Sequence, residues 1–305
     1  MIGALLSSVC PKLQSLAFSS TRASDNRLLS LLSTTVEPLP SHMTPISDRI
    51  ASLDLGSHPA LLPSTLRRLA TSLPNMRHFS LRSNNILSSP NAIDDLRGFF
   101  ELVGRRNHLQ TLTARSSPSF MDVDVVTTMV RCCASSLTKL DFGDRAAKMD
   151  RSADPLHYGP FSRTPIPSWG ALNALTGLTN LAHLRLPGLQ GVFDTGAMLK
   201  RMPSLVALDV SGCKNLKDQV LRELAEFCFL VRWIDVAGCE WIGDKALFGL
   251  GKESSVPYLT ALDICGTDVS EQRLGWLVGR CSSLMKPRSL GPRTSRTSTG
   301  DSGRV

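Results

Sequence analysis

The pattern apolar-x-x-apolar-x-apolar recurs along the chain. It is carried by Leu13/Leu16/Phe18, Ile50/Leu53/Leu55, Met76/Phe79/Leu81, Leu109/Leu112/Ala114, Leu137/Leu140/Phe142, Leu181/Leu184/Leu186, Leu205/Leu208/Val210, Val231/Ile234/Val236 and Leu259/Leu262/Ile264, and a partial tenth copy opens at Leu284. First positions are spaced 37, 26, 33, 28, 44, 24, 26, 28 and 25 residues apart, a common period of about 26 interrupted by insertions. The x-apolar-x-apolar centre of each copy alternates with period two, which predicts a short strand with one buried face. Helical spacing follows: after Leu208-Asp209-Val210, the side chains of Val220, Leu221, Leu224, Ala225 and Cys228 share one stripe. A unit of one strand and one helix cannot bury its own apolar face. The units must therefore stack, which predicts an α/β solenoid with a parallel sheet on its concave side and helices on its convex side.

Side chains between and beside the apolar strand positions point to the concave side. The middle one in each copy from residue 50 to 264 is Asp54, Ser80, Thr113, Asp141, Arg185, Asp209, Asp235 and Asp263, five of them acidic. Stacked carboxylates repel one another and favour a cationic partner, so one reading is an acidic binding stripe. The other is that Leu-Asp-Leu is a repeat idiom with solvated carboxylates. The position two residues earlier holds Ser52, His78, Thr111, Lys139, His183, Ala207, Trp233 and Ala261. Trp233 has the profile of an interface anchor, since large aromatics are enriched at the centres of protein contacts. A one-residue slip of its strand would turn it into the core instead. The candidate protein-binding residues are Trp233, Asp209, Asp235, Asp263, His183 and Arg185. Trp169, Trp241 and Trp276 fall on helices or on the bend after a strand and are expected in the core.

Composition narrows the function classes. The 305 residues are 42% hydrophobic, with 34 Lys and Arg against 26 Asp and Glu, a net charge of +8. This excludes wholesale disorder, and no apolar run reaches the roughly 18 residues of a membrane span. The start, Met1-Ile2-Gly3-Ala4-Leu5-Leu6, lacks a basic n-region, so the expected location is the cytoplasm, the nucleus or both. Eight cysteines without a secretory leader are expected as free thiols. Cys132-Cys133 are adjacent and the six histidines are scattered, which is not metal-ligand spacing; no metal site and no cofactor are expected. Gly249-Leu250-Gly251-Lys252 is not a phosphate loop, because Glu253 stands where a hydroxyl is needed and Ala246 where the first glycine would fall; it reads as a helix ending in glycine. No nucleophile-elbow, zinc-protease or kinase motif occurs, so no catalytic residue is expected.

The best-formed copies run Leu208-Asp209-Val210-Ser211-Gly212-Cys213 and Ile234-Asp235-Val236-Ala237-Gly238-Cys239. They resemble the cysteine-containing leucine-rich repeat of F-box/LRR proteins, whose solenoid is a horseshoe of the ribonuclease-inhibitor type. A second family position, three residues before the first apolar one, holds Cys10, Cys228 and Cys281. The resemblance is strong over about 181–284 and weaker over 50–142. Cys265 departs from it, aligning with Ser211 and Ala237, while Thr267 takes the place of Cys213. Small, weakly polar thiols suit the tight bend, so packing is their expected role.

The resemblance implies a non-enzymatic recognition protein, in family terms the substrate-recognition subunit of an SCF-type E3 ubiquitin ligase. The target protein would lie on the concave face, and adaptor and cullin would be reached through an N-terminal F-box. No F-box is found; Leu5–Pro11 reads as the end of a repeat helix without its strand, so a longer parent chain is expected. The alternative is a ligase-independent repeat scaffold or regulator. Residues 1–284 are assigned to the solenoid, with an insertion over about 143–168 that crosses the binding face or is passive. Residues 285–305 are assigned to a disordered basic tail holding five basic residues against Asp301. Such a tail suits RNA, anionic lipid or an import receptor, or is a solvated extension. An RNA-binding module using the tail is disfavoured as the protein's function, and nucleic acid is not the expected partner, because a basic stripe with interleaved aromatics is missing.

Overall fold

The computed structural model describes residues 10, 12–18, 28–29, 45–57, 61–82, 91–106, 108–115, 117–143, 169–188, 195–252 and 255–288. Ten strands form one parallel sheet in chain order. They are β1 (Ser15–Ala17), β2 (Ser52–Ser57), β3 (His78–Arg82), β4 (Thr111–Arg115), β5 (Lys139–Asp141), β6 (His183–Arg185), β7 (Ala207–Asp209), β8 (Trp233–Asp235), β9 (Ala261–Asp263) and β10 (Lys286–Arg288). Each coincides with one copy of the apolar pattern. The described helices are α1 (Ile46–Arg49), α2 (Pro63–Ser72), α3 (Ala92–Gly104), α4 (Val123–Cys133), α5 (Trp169–Ala174), α6 (Thr195–Lys200), α7 (Gln219–Phe227), α8 (Asp244–Leu250) and α9 (Glu271–Arg280). None is long and apolar enough to cross a membrane.

Register is regular except between β2 and β3, where it shifts between Asp54 and Ser57. Leu53, Phe79, Leu112, Leu140, Leu184, Leu208, Ile234 and Leu262 stand side by side across the sheet, all buried. Helices pack on this face, and from α2 to α9 each contacts a helix of an adjacent unit. The expected stripe of α7 is buried as read, from Val220 through Ala225 to Cys228. α8 ends at Leu250 with Gly251 as its cap, as the glycine-terminated reading expects. β10 draws three residues from the segment assigned to the tail, completing the tenth copy; 289–305 of that segment, and 144–168 of the insertion, lie outside the described residues.

Two packing features are not evident from the apolar pattern. Four rings pack in series around α3: centroids lie 5.1 Å apart for Phe79 and Phe99, 5.1 Å for Phe99 and Phe100, and 6.0 Å for Phe100 and Phe120. Three residues past the strand ends, Gly188, Gly212, Gly238 and Gly266 all have φ between 71° and 75°. Their amides extend the sheet ladder, with Gly188, Gly212 and Gly238 donating to the carbonyls of Ser211, Ala237 and Cys265 at 2.7 Å. A side chain in this left-handed conformation is strained, which is why glycine stands at the bend.

The thiols occupy the bends as packing groups. Cys213 Sγ donates to the Leu186 carbonyl at 3.3 Å and Cys239 Sγ to the Val210 carbonyl at 3.2 Å, each tying its bend to the preceding unit. Thr267, in the equivalent place, instead donates to Ile264 in its own turn at 2.7 Å. Burial pushes the Cys133, Cys228 and Cys239 thiols up to about 12. Because the thiolate is the reacting form, brief maleimide treatment of the native protein should label Cys10 and Cys132, and Cys281 more slowly. Cys133, Cys213, Cys228, Cys239 and Cys265 should react only after unfolding, and peptide mass mapping with and without urea checks this. Native labelling of Cys239 would contradict the packing role.

Candidate functional site: the open face of the sheet

The face opposite the helices carries side chains from alternate strand positions. Across it His78, Thr111, Lys139, His183, Ala207, Trp233 and Ala261 stand in direct register. Val231, Ile234 and Val236 are all fully buried, which excludes the one-residue slip and leaves Trp233 half-buried on the open face. The alanines on either side make its setting shallow: Ala207 and Ala261 flank the indole without overtopping it. Lys139 and His183 are exposed neighbours. Partial burial and then the Lys139 ammonium hold His183 below the ordinary histidine range, so at neutral pH it offers an N–H rather than a charge.

At three of its five members the aspartate row corrects both sequence readings, being neither an exposed binding stripe nor solvated. Asp141, Asp209 and Asp235 are 1%, 0% and 1% exposed. Each carboxylate in the row fastens its own chain, four of them at the last residue of the strand and Asp54 within β2: Oδ1 of Asp54, Asp141, Asp209, Asp235 and Asp263 accepts from the backbone N–H two residues on, at 2.9 to 3.1 Å. The second oxygens of Asp141 and Asp209 are held by arginine. Arg185 Nε donates to Asp209 at 2.9 Å and its Nη1 to Asp141 at 3.1 Å, while Arg115 Nε donates to Asp141 at 2.9 Å. Burial alone would lower the Arg185 pKa, but the two carboxylates more than offset it and hold the guanidinium above its ordinary range. Arg185 is thus a bridge within the fold, and of the three candidate aspartates only Asp263 stays half-exposed.

This burial reverses the sign of the face. The row beginning His78 and the residues just ahead of it contain no carboxylate in any of the ten strands, but do contain Arg77, Lys139 and Arg232, all exposed. The sequence reading missed a rim beside Trp233: Phe229, Leu230, Tyr258 and Met285 are 53%, 42%, 50% and 77% exposed. Its signal was available, since Leu230 and Tyr258 both directly precede the first apolar position of their copies. Trp241, expected in the core, is 67% exposed; Cys239 and Ile242 take the inward positions at that bend and turn it outward. Trp276 is half-buried, its ring 5.6 Å from Phe248, and the Trp169 side chain lies outside the described residues. Among the described residues no three His, Cys, Asp or Glu side chains converge to hold a metal ion.

No family model matches the chain, and no curated protein does. Among solved structures it is similar to a chain in the crystal structure of the Rad7 and Elc1 complex in yeast, at 14% identity and a TM-score of 0.45, covering 95% of this chain and 79% of that one.

Proposed function

We propose that the protein is a non-enzymatic recognition protein that holds a target protein on the open face of its sheet. The observation that carries this reading is the half-buried Trp233 between Ala207 and Ala261, beside an exposed apolar rim. Rigid aromatics in such settings supply most of the binding energy at protein interfaces. The repeat motifs at Cys213 and Cys239 support the finer reading, a substrate-recognition subunit of an SCF-type ubiquitin ligase acting in the cytoplasm or nucleus. The chain itself would do no chemistry; its partner proteins would transfer ubiquitin to the captured target.

Trp233→Ala should weaken target capture by about tenfold or more while shifting the melting temperature little, because a half-exposed aromatic between alanines leaves no core cavity. Affinity purification of tagged parent and variant from cells, followed by mass spectrometry, checks it. Unchanged capture, or a large loss of stability, would refute the surface role. Recovery of a cullin and its adaptor with the target would support the ligase role, and recovery of the target without them would assign a ligase-independent scaffold.

A further inference from the structure

The open face divides along the sheet into two chemistries. Over β3 to β5 the leading positions hold Arg77 and Lys139 with the donors His78 and Gln110, and the hydroxyls of Thr111 and Thr138 lie among them. Among the described residues neither Arg77 nor Lys139 makes an ion pair; the face's arginine–aspartate pairs, Arg82–Asp54, Arg115–Asp141, Arg185–Asp141 and Arg185–Asp209, lie further along the strands. Over β7 to β9 the same positions turn largely apolar: Val206, Ala207, Trp233 and Ala261, continued at the rim by Leu230 and Tyr258, while the Thr260 hydroxyl is turned onto the Arg232 carbonyl at 3.0 Å. Among the described residues the cation at these positions is Arg232, which lies over the Tyr258 ring at 5.8 Å.

From this division we infer that the face takes an extended acidic segment of a partner protein. Its carboxylates lie over β3 to β5, and an aliphatic or aromatic side chain seats against Trp233. The inference rests on the recognition role proposed above and names the chemistry of the partner. Charge complementarity sets the first half, since unpaired cations meet no carboxylate in these two rows. The alanine-flanked indole sets the second.

The sheet spacing also sets a length. Strands lie about 4.8 Å apart, so Lys139 on β5 and Trp233 on β8 are separated by roughly 14 Å, and Arg77 just ahead of β3 is about 10 Å beyond Lys139. At about 3.3 Å per residue the apolar anchor falls about four residues from the carboxylate over Lys139, with a second carboxylate about three residues further out.

Other occupants fit less well. A nucleic-acid strand would want cations along the whole face, and over β7 to β9 it meets only Arg232 among the described leading positions, a cation already lying over the Tyr258 ring. The protein's own insertion carries four basic residues against three acidic between 144 and 168, and the segment from 289 onward is basic, so neither supplies the negative charge.

The test is selection of random peptides of about twelve residues, long enough to cross the face, on the immobilised 305-residue protein, followed by fluorescence polarisation of those enriched. Enriched peptides should be acidic, with an apolar residue about four positions from an acid. Arg77→Glu combined with Lys139→Glu should weaken them about tenfold or more, as should Trp233→Ala, and salt should weaken them further. Lys139→Gln replaces the charge reversal if the double variant melts early. Selection of peptides without acids, indifference to the charge substitutions, no enrichment, or tighter binding of a single-stranded oligonucleotide would each overturn the inference. If Trp233→Ala still abolishes binding while the charge substitutions do not, the acidic partner fails and the recognition role stands. If binding survives both, the open face is not the site and both fail.

Discussion

Arg185→Ala should lower the unfolding free energy by about 3 kcal/mol, at the lower end of the range for removing one partner of a buried ion pair. The guanidinium bridges Asp141 and Asp209, whose side chains are 1% and 0% exposed. Without it Asp209 keeps the Ser211 N–H and hydroxyl on Oδ1, at 3.1 and 2.7 Å, but Oδ2 loses its cation in a site closed to solvent. Asp141 suffers less, because Arg115 remains on it. The penalty is therefore the cost of stranding a carboxylate, and neutralising that group should recover part of it. Adding Asp209→Asn to Arg185→Ala keeps the acceptor for the Ser211 N–H and removes the stranded charge, so the double variant should be more stable than Arg185→Ala alone. Urea unfolding of the four members of the cycle measures this. A loss below about 1 kcal/mol, the scale of an exposed pair, would mean that water reaches the carboxylates.

Phe99→Ala should cost about 3–5 kcal/mol, the usual price of emptying a phenylalanine site that cannot collapse. Phe99 is fully buried between Phe79 and Phe100, and Phe120 extends the stack, so neighbouring rings are braced by one another and cannot fold into the void. Phe248→Ala is the matched control: its ring is 46% exposed under Arg273 at 4.0 Å, and its loss opens no enclosed cavity. The two variants compared by denaturant midpoint at equal slope separate cavity cost from lost surface contacts. Equal losses would contradict the enclosed packing of Phe99.

The strands were legible because burial writes itself into period two: every copy of the apolar pattern became a strand, and Trp233 fell on the open face because Val231, Ile234 and Val236 fit the core. The fate of the aspartates was not legible from one strand at a time. Whether Asp209 meets solvent depends on Arg185, 24 residues away in sequence, and on how the stacked bends enclose both. Alignment of whole units would have exposed the partners, since Arg82 and Arg115 both sit two positions beyond the aspartate position and lie diagonal to Asp54 and Asp141 on the neighbouring strands. The glycine ladder was open to the same comparison, as Gly188, Gly212, Gly238 and Gly266 each follow the aspartate position by three. Trp241 was misplaced because hydrophobicity alone does not decide direction at a bend; Cys239 and Ile242 had already taken the interior.

The aspartate row gives the open face a division of labour. From Asp141 onward each carboxylate fastens its own turn, so the work of shaping the chain is done at the trailing ends of the strands. The leading positions, from Arg77 and His78 through Lys139 to Trp233, are left without that duty. They form an interchangeable alphabet on a fixed page: new partners can be addressed by rewriting those letters, with the turns that hold the page together left untouched.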